Sequence, residues 1–141
     1  MMADTFPLIF ATRLTRLHDD RAQSLRVLAA DGQLGVLAGH APMLAELAVG
    51  EIVITLGSGE KRYFAATEGL LRVQSDGVVV IVEAAEPAAQ IDIERAQKAL
   101  DRARHRLSLQ QSRQGVDVIR AELALTRAIN RLKVARRADG S

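Results

Sequence analysis

Between residues 24 and 84 apolar positions come in short runs, and each run stops at a Gly, Asp or Ser. EIVITL (51–56) and KRYFAA (61–66) flank GSGE. LLRVQ (70–74) and VVVIVEA (78–84) flank Ser75-Asp76-Gly77. SLRVLAA (24–30) and LGVLA (34–38) flank Asp31-Gly32-Gln33 in the same manner. Short strands separated by Gly-containing turns predict hairpins, with Asp-Gly supplying the positive φ angles of a tight reversal. A first strand is expected near LIFATRL (8–14). Turns this frequent favour an antiparallel β-sandwich or barrel over alternating βαβ units.

After Glu86-Pro87 the period changes. Ile93, Ala96, Leu100, Ala103 and Leu107 recur at steps of three and four, which is one face of an α-helix, with Asp92 placed to cap it. SRQG, ending at Gly115, closes the run. Asp117 is expected to cap a second helix with an apolar face of Val118, Ala121, Leu125, Ala128 and Leu132. Two helices joined this closely form an antiparallel hairpin. The expected organisation is therefore a β domain over 1–87 and a helical hairpin over 88–141. Both helical faces are rich in Ala, so the seam buries little area and can open.

Composition narrows the chemistry. Hydrophobic residues make up 48% of the 141 positions, enough for a core, and aromatic residues only 3%, so that core is aliphatic. Without cysteine there are no disulfides, thiolate nucleophiles or thiolate zinc sites, as in many cytosolic proteins. MMADTFPLIFATRLTR lacks the basic stretch and long apolar core of a secretory signal, and no apolar run approaches bilayer length, so a soluble chain is expected. The net charge of +2 is unevenly divided: −4 over residues 1–90 and +6 over 91–141. An acidic front and a basic tail suggest different partners.

The densest cluster of glycines, GQLGVLAGHAP (32–42), does not carry the Gly-Lys-Ser/Thr ending of a P-loop, and no βαβ unit surrounds it as a dinucleotide site requires. Its glycines read as turns and strand corners. His40 has no carboxylate nearer than Glu46 and no nucleophile beside it; His18 and His105 lie in unrelated contexts, so neither catalysis nor a metal site is expected. The arginines say more. Arg95, Arg102, Arg106 and Arg113 share one face of the first helix, and Arg120, Arg127 and Arg131 form a similar stripe on the second. A solvated basic face, a nucleic-acid surface, a phosphate-bearing small molecule and an acidic protein surface all fit such stripes. The scarcity of aromatic residues to stack bases argues against nucleic acid.

DGQLGVLAGHAPMLAELAVGEIVIT (31–55) closely resembles a segment of the epsilon subunits of F-type rotary ATP synthases. Gly32, Gly35, Gly39, His40, Ala41, Pro42, Leu44, Leu47 and Gly50 fit the family pattern. GEKRYFAATEGLLRVQSDGVVVIVEAAEPAAQID (59–92) is similar to the remaining strands, and IDIERA (91–96) to the family's Ile/Leu-Asp-x-x-Arg-Ala motif. The resemblance covers nearly everything after about residue 23. Ala38 departs from the Pro often found before Gly-His, Gln33 replaces a common acid, and TRLTRLHDDRAQ (12–23) fits the usual first hairpin poorly.

The resemblance implies an all-β sandwich of about ten strands followed by an α-helical hairpin, and a non-catalytic role. It implies a rotor stalk position beside the gamma subunit and on the c-subunit ring, peripheral to a bacterial inner membrane on its cytoplasmic side. The c-ring contact falls on Leu28, Ala29, Ala30, Asp31, Gly32 and Gln33, in the turn running on to Gly35, together with His40. The helices are expected to extend toward the alpha and beta subunits and inhibit ATP hydrolysis, with Arg106, Arg113 and Arg120 among their contacts. ATP is implied as a regulatory ligand rather than a required cofactor. The motif carries its site onto Ile91, Asp92, Arg95 and Ala96, and less directly onto Glu86, Arg102, Arg127 and Arg131. Two other readings stay open: a freestanding ATP-binding regulatory module, and a basic helical hairpin that binds nucleic acid.

Overall fold

The computed structural model describes residues 4–109 and 116–139. The chain divides into two compact units, Met1–Pro87 and Ala88–Ser141. Arg113 and Gly115 lie outside the described residues.

The first unit contains ten strands: β1 Phe6–Ala11, β2 Arg16–Ala22, β3 Ser24–Ala29, β4 Gly32–Leu37, β5 Met43–Leu47, β6 Gly50–Thr55, β7 Lys61–Ala66, β8 Gly69–Gln74, β9 Gly77–Val82 and β10 Ala85–Pro87. Pairing follows the order β10-β7-β6-β3-β5-β8-β9-β1-β2, with β4 also on β3. One edge of β3 carries β4 along its whole length. The other edge is shared: β6 pairs with Ser24–Arg26, and β5 touches it only at Ala29↔Leu47. That divided edge is the fold line of a sandwich, with β10-β7-β6-β3-β4 on one side and β5-β8-β9-β1-β2 on the other. Phe10 of β1 meets Phe64 of β7 edge to face across the core, ring centroids 5.0 Å apart. Leu8, Leu25, Ile54, Leu71 and Val80 complete a fully buried aliphatic interior.

The three hairpins expected from turn chemistry all form, two of them with tighter turns than their spacing suggested and β6–β7 with a five-residue loop, 56–60. Ala29↔Gly32 and Gln74↔Gly77 close two-residue loops, Ala30-Asp31 and Ser75-Asp76. Only the glycines take positive φ, 139° at Gly32 and 149° at Gly77, whereas the aspartates do not. A Cβ at either glycine position would strain the return strand.

Three strands were not expected from the residues. In β2, RLHDDRA, charge hides the alternation: His18 and Ala22 face inward, while Arg16 pairs with Asp19 at 2.6 Å on the outside. Such charges suit an edge strand, because they discourage pairing with a second sheet. β5 and β10 are short and depend on partners distant in sequence. The first strand is Phe6–Ala11 rather than 8–14, and it pairs parallel with β9 while pairing antiparallel with β2. The sheet is therefore mixed.

The second unit opens with a 3₁₀ turn, Ala88–Gln90, and continues as α1 Ile93–Leu109 and α2 Val116–Ala135. The helices pack on one another through buried Ala96, Leu100 and Ala103 of α1 and Ala121 and Ala128 of α2. Ile93 departs from the expected apolar face. It is 53% exposed, because as the first helical residue it projects before the seam begins. α2 begins at Val116, which puts Asp117 inside the first turn rather than at the cap; its side chain lies outside the described residues.

Candidate functional site

Two regions collect the candidate residues, and each lies within one unit. In the sandwich, Leu28, Ala29, Ala30, Asp31, Gly32 and Gln33 form the β3–β4 turn and its shoulders. Ala29 is buried and Leu28 half-buried, so both anchor the turn, while Ala30 to Gln33 are exposed. The anchoring is specific. The Ala30 N–H donates to the Glu46 carbonyl at 3.0 Å, and the Ala48 N–H donates to the Leu28 carbonyl at 2.9 Å. A Cβ added at Gly50 would stand 2.8 Å from the Leu28 Cβ, so the absence of a side chain there is what seats Leu28. An open groove of about 600 Å³ runs beside the turn, lined among others by Asp31, Gln33, Leu34, Met43, Ala45 and Glu46. Sequence reasoning missed Met43, Ala45 and Glu46. Their signal was the alternation in MLAEL, too short to read as a strand.

His40 does not belong to this turn. Leu37 pairs with Ser24 at the far end of β4, about 17 Å from Gly32 at strand rise. His40 follows on the return segment to β5. Its N–H donates to the Leu37 carbonyl at 3.1 Å, and its Nδ1 lies 2.7 Å from the Ala41 carbonyl. A ring nitrogen facing a carbonyl carries a proton, so Nδ1 donates to Ala41. Gly39, at φ 82°, makes this reversal, whereas Gly35 sits within β4 opposite Arg26. Among the described residues no group of acidic or histidine side chains could hold a metal ion.

The sandwich also shows aliphatic side chains to solvent. Leu70 and Ile81 pair directly across β8 and β9, at 50% and 49% exposure, and Leu44 is 69% exposed on neighbouring β5. Their strands alternate correctly. On this outward face the three aliphatic side chains stand beside exposed Glu46, opposite Leu70, and exposed Arg72, opposite Leu44.

In the helical unit, every residue of the IDIERA motif has an assigned place. Ile91 is buried. The Asp92 carboxylate accepts from the Arg95 N–H at 3.0 Å, and its carbonyl accepts from the Ala96 N–H at 2.9 Å, so Asp92 is the cap of α1 as expected. Ala96 is fully buried in the seam. Arg95 carries the motif's positive charge outward, one residue round the helix from the seam, and Asp92 and Glu94 are exposed as well. Glu94 engages Lys98 at 3.4 Å. Arg102 and Arg106 are exposed like Arg95, as is Arg120 on α2, while Arg127 and Arg131 are half-buried. Glu86 stands apart from these in the chain's organisation: it is on β10 of the sandwich unit, opposite Ala65. Among the described residues no helix is long and apolar enough to cross a membrane.

A mixed β-sandwich followed by an arginine-faced helical pair makes a two-module chain. The beta-sandwich domain of the ATP synthase delta/epsilon chain matches residues 5–88, and the long alpha-helix domain of the same chain matches residues 89–136. The ATP synthase epsilon chain of Koribacter versatilis is 42% identical over 106 residues, 75% of this chain and 74% of that one. The sodium ion specific epsilon chain of Propionigenium modestum is 35% identical over 103 residues, 73% of this chain and 74% of that one. A chain in the Euglena gracilis mitochondrial ATP synthase structure superposes with a TM-score of 0.80 at 24% identity, covering 100% of this chain and 84% of that one. At that identity the likeness concerns the fold. The chain belongs to the delta/epsilon family of ATP synthase subunits and, within it, to the epsilon chains.

Proposed function

We propose that the chain is a non-catalytic rotor component of a bacterial F-type ATP synthase, peripheral to the inner membrane on its cytoplasmic side. The sandwich stands on the c-subunit ring through its β3–β4 turn and beside the gamma subunit. What supports a protein contact at the turn is its exposed tip on a rigid, hydrogen-bonded base. The outward aliphatic residues Leu44, Leu70 and Ile81 suit a second protein surface, assigned here to gamma.

The helical hairpin acts as a conditional inhibitor. Opened, it presents Arg106, Arg113 and Arg120 to acidic surfaces of the alpha and beta subunits and restrains ATP hydrolysis. Closed, it holds ATP through Arg95, with Arg102, Arg127 and Arg131 near the phosphates and Asp92, Ile91 and Ala96 shaping the first turn. A ligand that binds only the closed form shifts the population by its difference in affinity between the two forms. The observation that carries this reading is the helical pair itself: a separate unit with an alanine seam and exposed guanidinium groups. Alanine contacts release little free energy per residue, so opening is cheap relative to unfolding the sandwich.

Deleting residues 91–141 should raise ATP hydrolysis by the assembled synthase; unchanged activity would sink the inhibitory role. Calorimetry of ATP, without magnesium, on the isolated full chain should detect binding that Arg95→Ala weakens. Absence of heat with the unsubstituted chain would remove the nucleotide-sensing part and leave the stalk role standing.

A further inference from the structure

The two helices carry one pattern twice. Residues 92–107, DIERAQKALDRARHRL, and residues 117–132, DVIRAELALTRAINRL, share D-x-x-R-A-x-x-A-L-x-R-A-x-x-R-L without a gap. Arg95 thereby corresponds to Arg120, Arg102 to Arg127 and Arg106 to Arg131. The packing follows the same correspondence in part: Ala96 and Ala121 are buried, as are Ala103 and Ala128, and Arg95 and Arg120 are both exposed, whereas Arg102 and Arg106 are exposed and Arg127 and Arg131 half-buried.

Helix geometry turns this repeat into a surface. Each repeated arginine precedes a seam residue by one position, a rotation of about 100°. The stripe therefore flanks the seam by the same angle, in the same sense, on both helices. Packed helices joined through residues 110–115 run antiparallel, and an antiparallel pair with equal patterns has an approximate two-fold axis normal to its layer. Rotation about that axis keeps a front-facing side chain in front. Both stripes accordingly emerge on one face. Glu94, Asp101 and Glu122 lie about 100° or more round their helices from the stripes, while Asp92 and Asp117, three residues before Arg95 and Arg120, lie about 60° from them at the two ends.

Residues equally far from the connection come level, so Arg95 is near the level of Arg131, and Arg120 near that of Arg106. Arg127 and Arg102 stand between the ends. The two ends are thus separated by about ten residues of rise, roughly 15 Å. That exceeds the Debye length of about 8 Å at physiological ionic strength, so anions at the two ends repel one another weakly.

We infer that the hairpin has a second phosphate-binding end, formed by Arg120 with Arg106 and related by the approximate two-fold to Arg95 with Arg131. One closed chain takes up two polyphosphate anions. The inference rests on the reading of the Arg95 end as a triphosphate site, because the repeat transfers that chemistry and not a new one. Guanidinium groups bind phosphate oxygens bidentately, and each end sets a repeated arginine of one helix level with a repeated arginine of the other.

The test is the number of ligands bound. Full-chain protein is titrated calorimetrically at physiological ionic strength with ATP and, separately, with inorganic tripolyphosphate. Two equivalents per chain are expected. Arg120→Ala should weaken one of them by about tenfold or more and leave the other, Arg95→Ala should do the reverse, and Arg120→Lys should retain part of the affinity. Two equivalents with either anion support the inference and identify phosphate as the recognised group; two with ATP alone support it and identify the nucleotide. A single equivalent insensitive to Arg120→Ala overturns the second end while leaving the Arg95 reading intact. No binding of either anion overturns both.

Discussion

The sandwich closes over Phe10, Leu25, Ile54 and Leu71, each 1% exposed or less, whereas the helical unit closes mainly over Ala96, Ala103, Ala121, Ala128 and Ala135, with Leu100 and Val134 as the larger buried side chains of α1 and α2. A buried leucine or phenylalanine contributes about 1.5–3 kcal/mol and a buried methyl about a third of that. The same number of seam positions therefore holds the helices far more weakly than the strands. Their backbone economies differ as well. Each helix satisfies its own hydrogen bonds and survives separation from its partner, while the sandwich has strands whose partners are remote in sequence and lost on opening.

The comparison can be broken most directly in the sandwich. Phe10→Ala removes a fully buried ring that meets Phe64, and should cost about 3–5 kcal/mol in chemical denaturation followed by a sandwich probe. A cost below about 1 kcal/mol would mean the sandwich core is not the rigid one described. Next comes Gly69→Ala, where the new Cβ would overlap the Ile81 carbonyl oxygen and lie 2.7 Å from the Val82 Cα. Backbone has to shift to admit it, at about 2–3 kcal/mol, with the β8–β9 pairing the first to show faster amide exchange.

In the hairpin, Leu100→Ala should cost about 2–3 kcal/mol of local stability. Hydrogen exchange would register it in α1 and α2 while the sandwich amides keep their protection; a matching loss in the sandwich would contradict two separately stabilised units. Smallest is Asp92→Ala, which removes the carboxylate capping the Arg95 N–H. About 1 kcal/mol of helix stability should go, seen as fraying of the first turn of α1 in amide exchange. An unchanged first turn would make the cap dispensable, and with it the structural account of Asp92 in the motif.

Local signals carried much of this fold. The Gly32 and Gly77 turns, the hairpins around them, the Asp92 cap and the alanine–leucine faces of both helices are set by residues within a few positions of one another, so they can be read along the chain. The arginine stripes belong to the same group, since helical period alone assigns their face. Tertiary structure decided the rest. β2 is a strand because β1 supplies its hydrogen-bond partners, against a sequence dominated by charge. β5 and β10 exist only where β8 and β7 pair with them. Parallel pairing of β1 with β9, the divided edge of β3, and the separation of His40 from the β3–β4 turn all depend on contacts between residues far apart in the chain. Alternation along a strand says which side chains share a face; it holds no information on which strand lies alongside. That choice is made by the closing of the core.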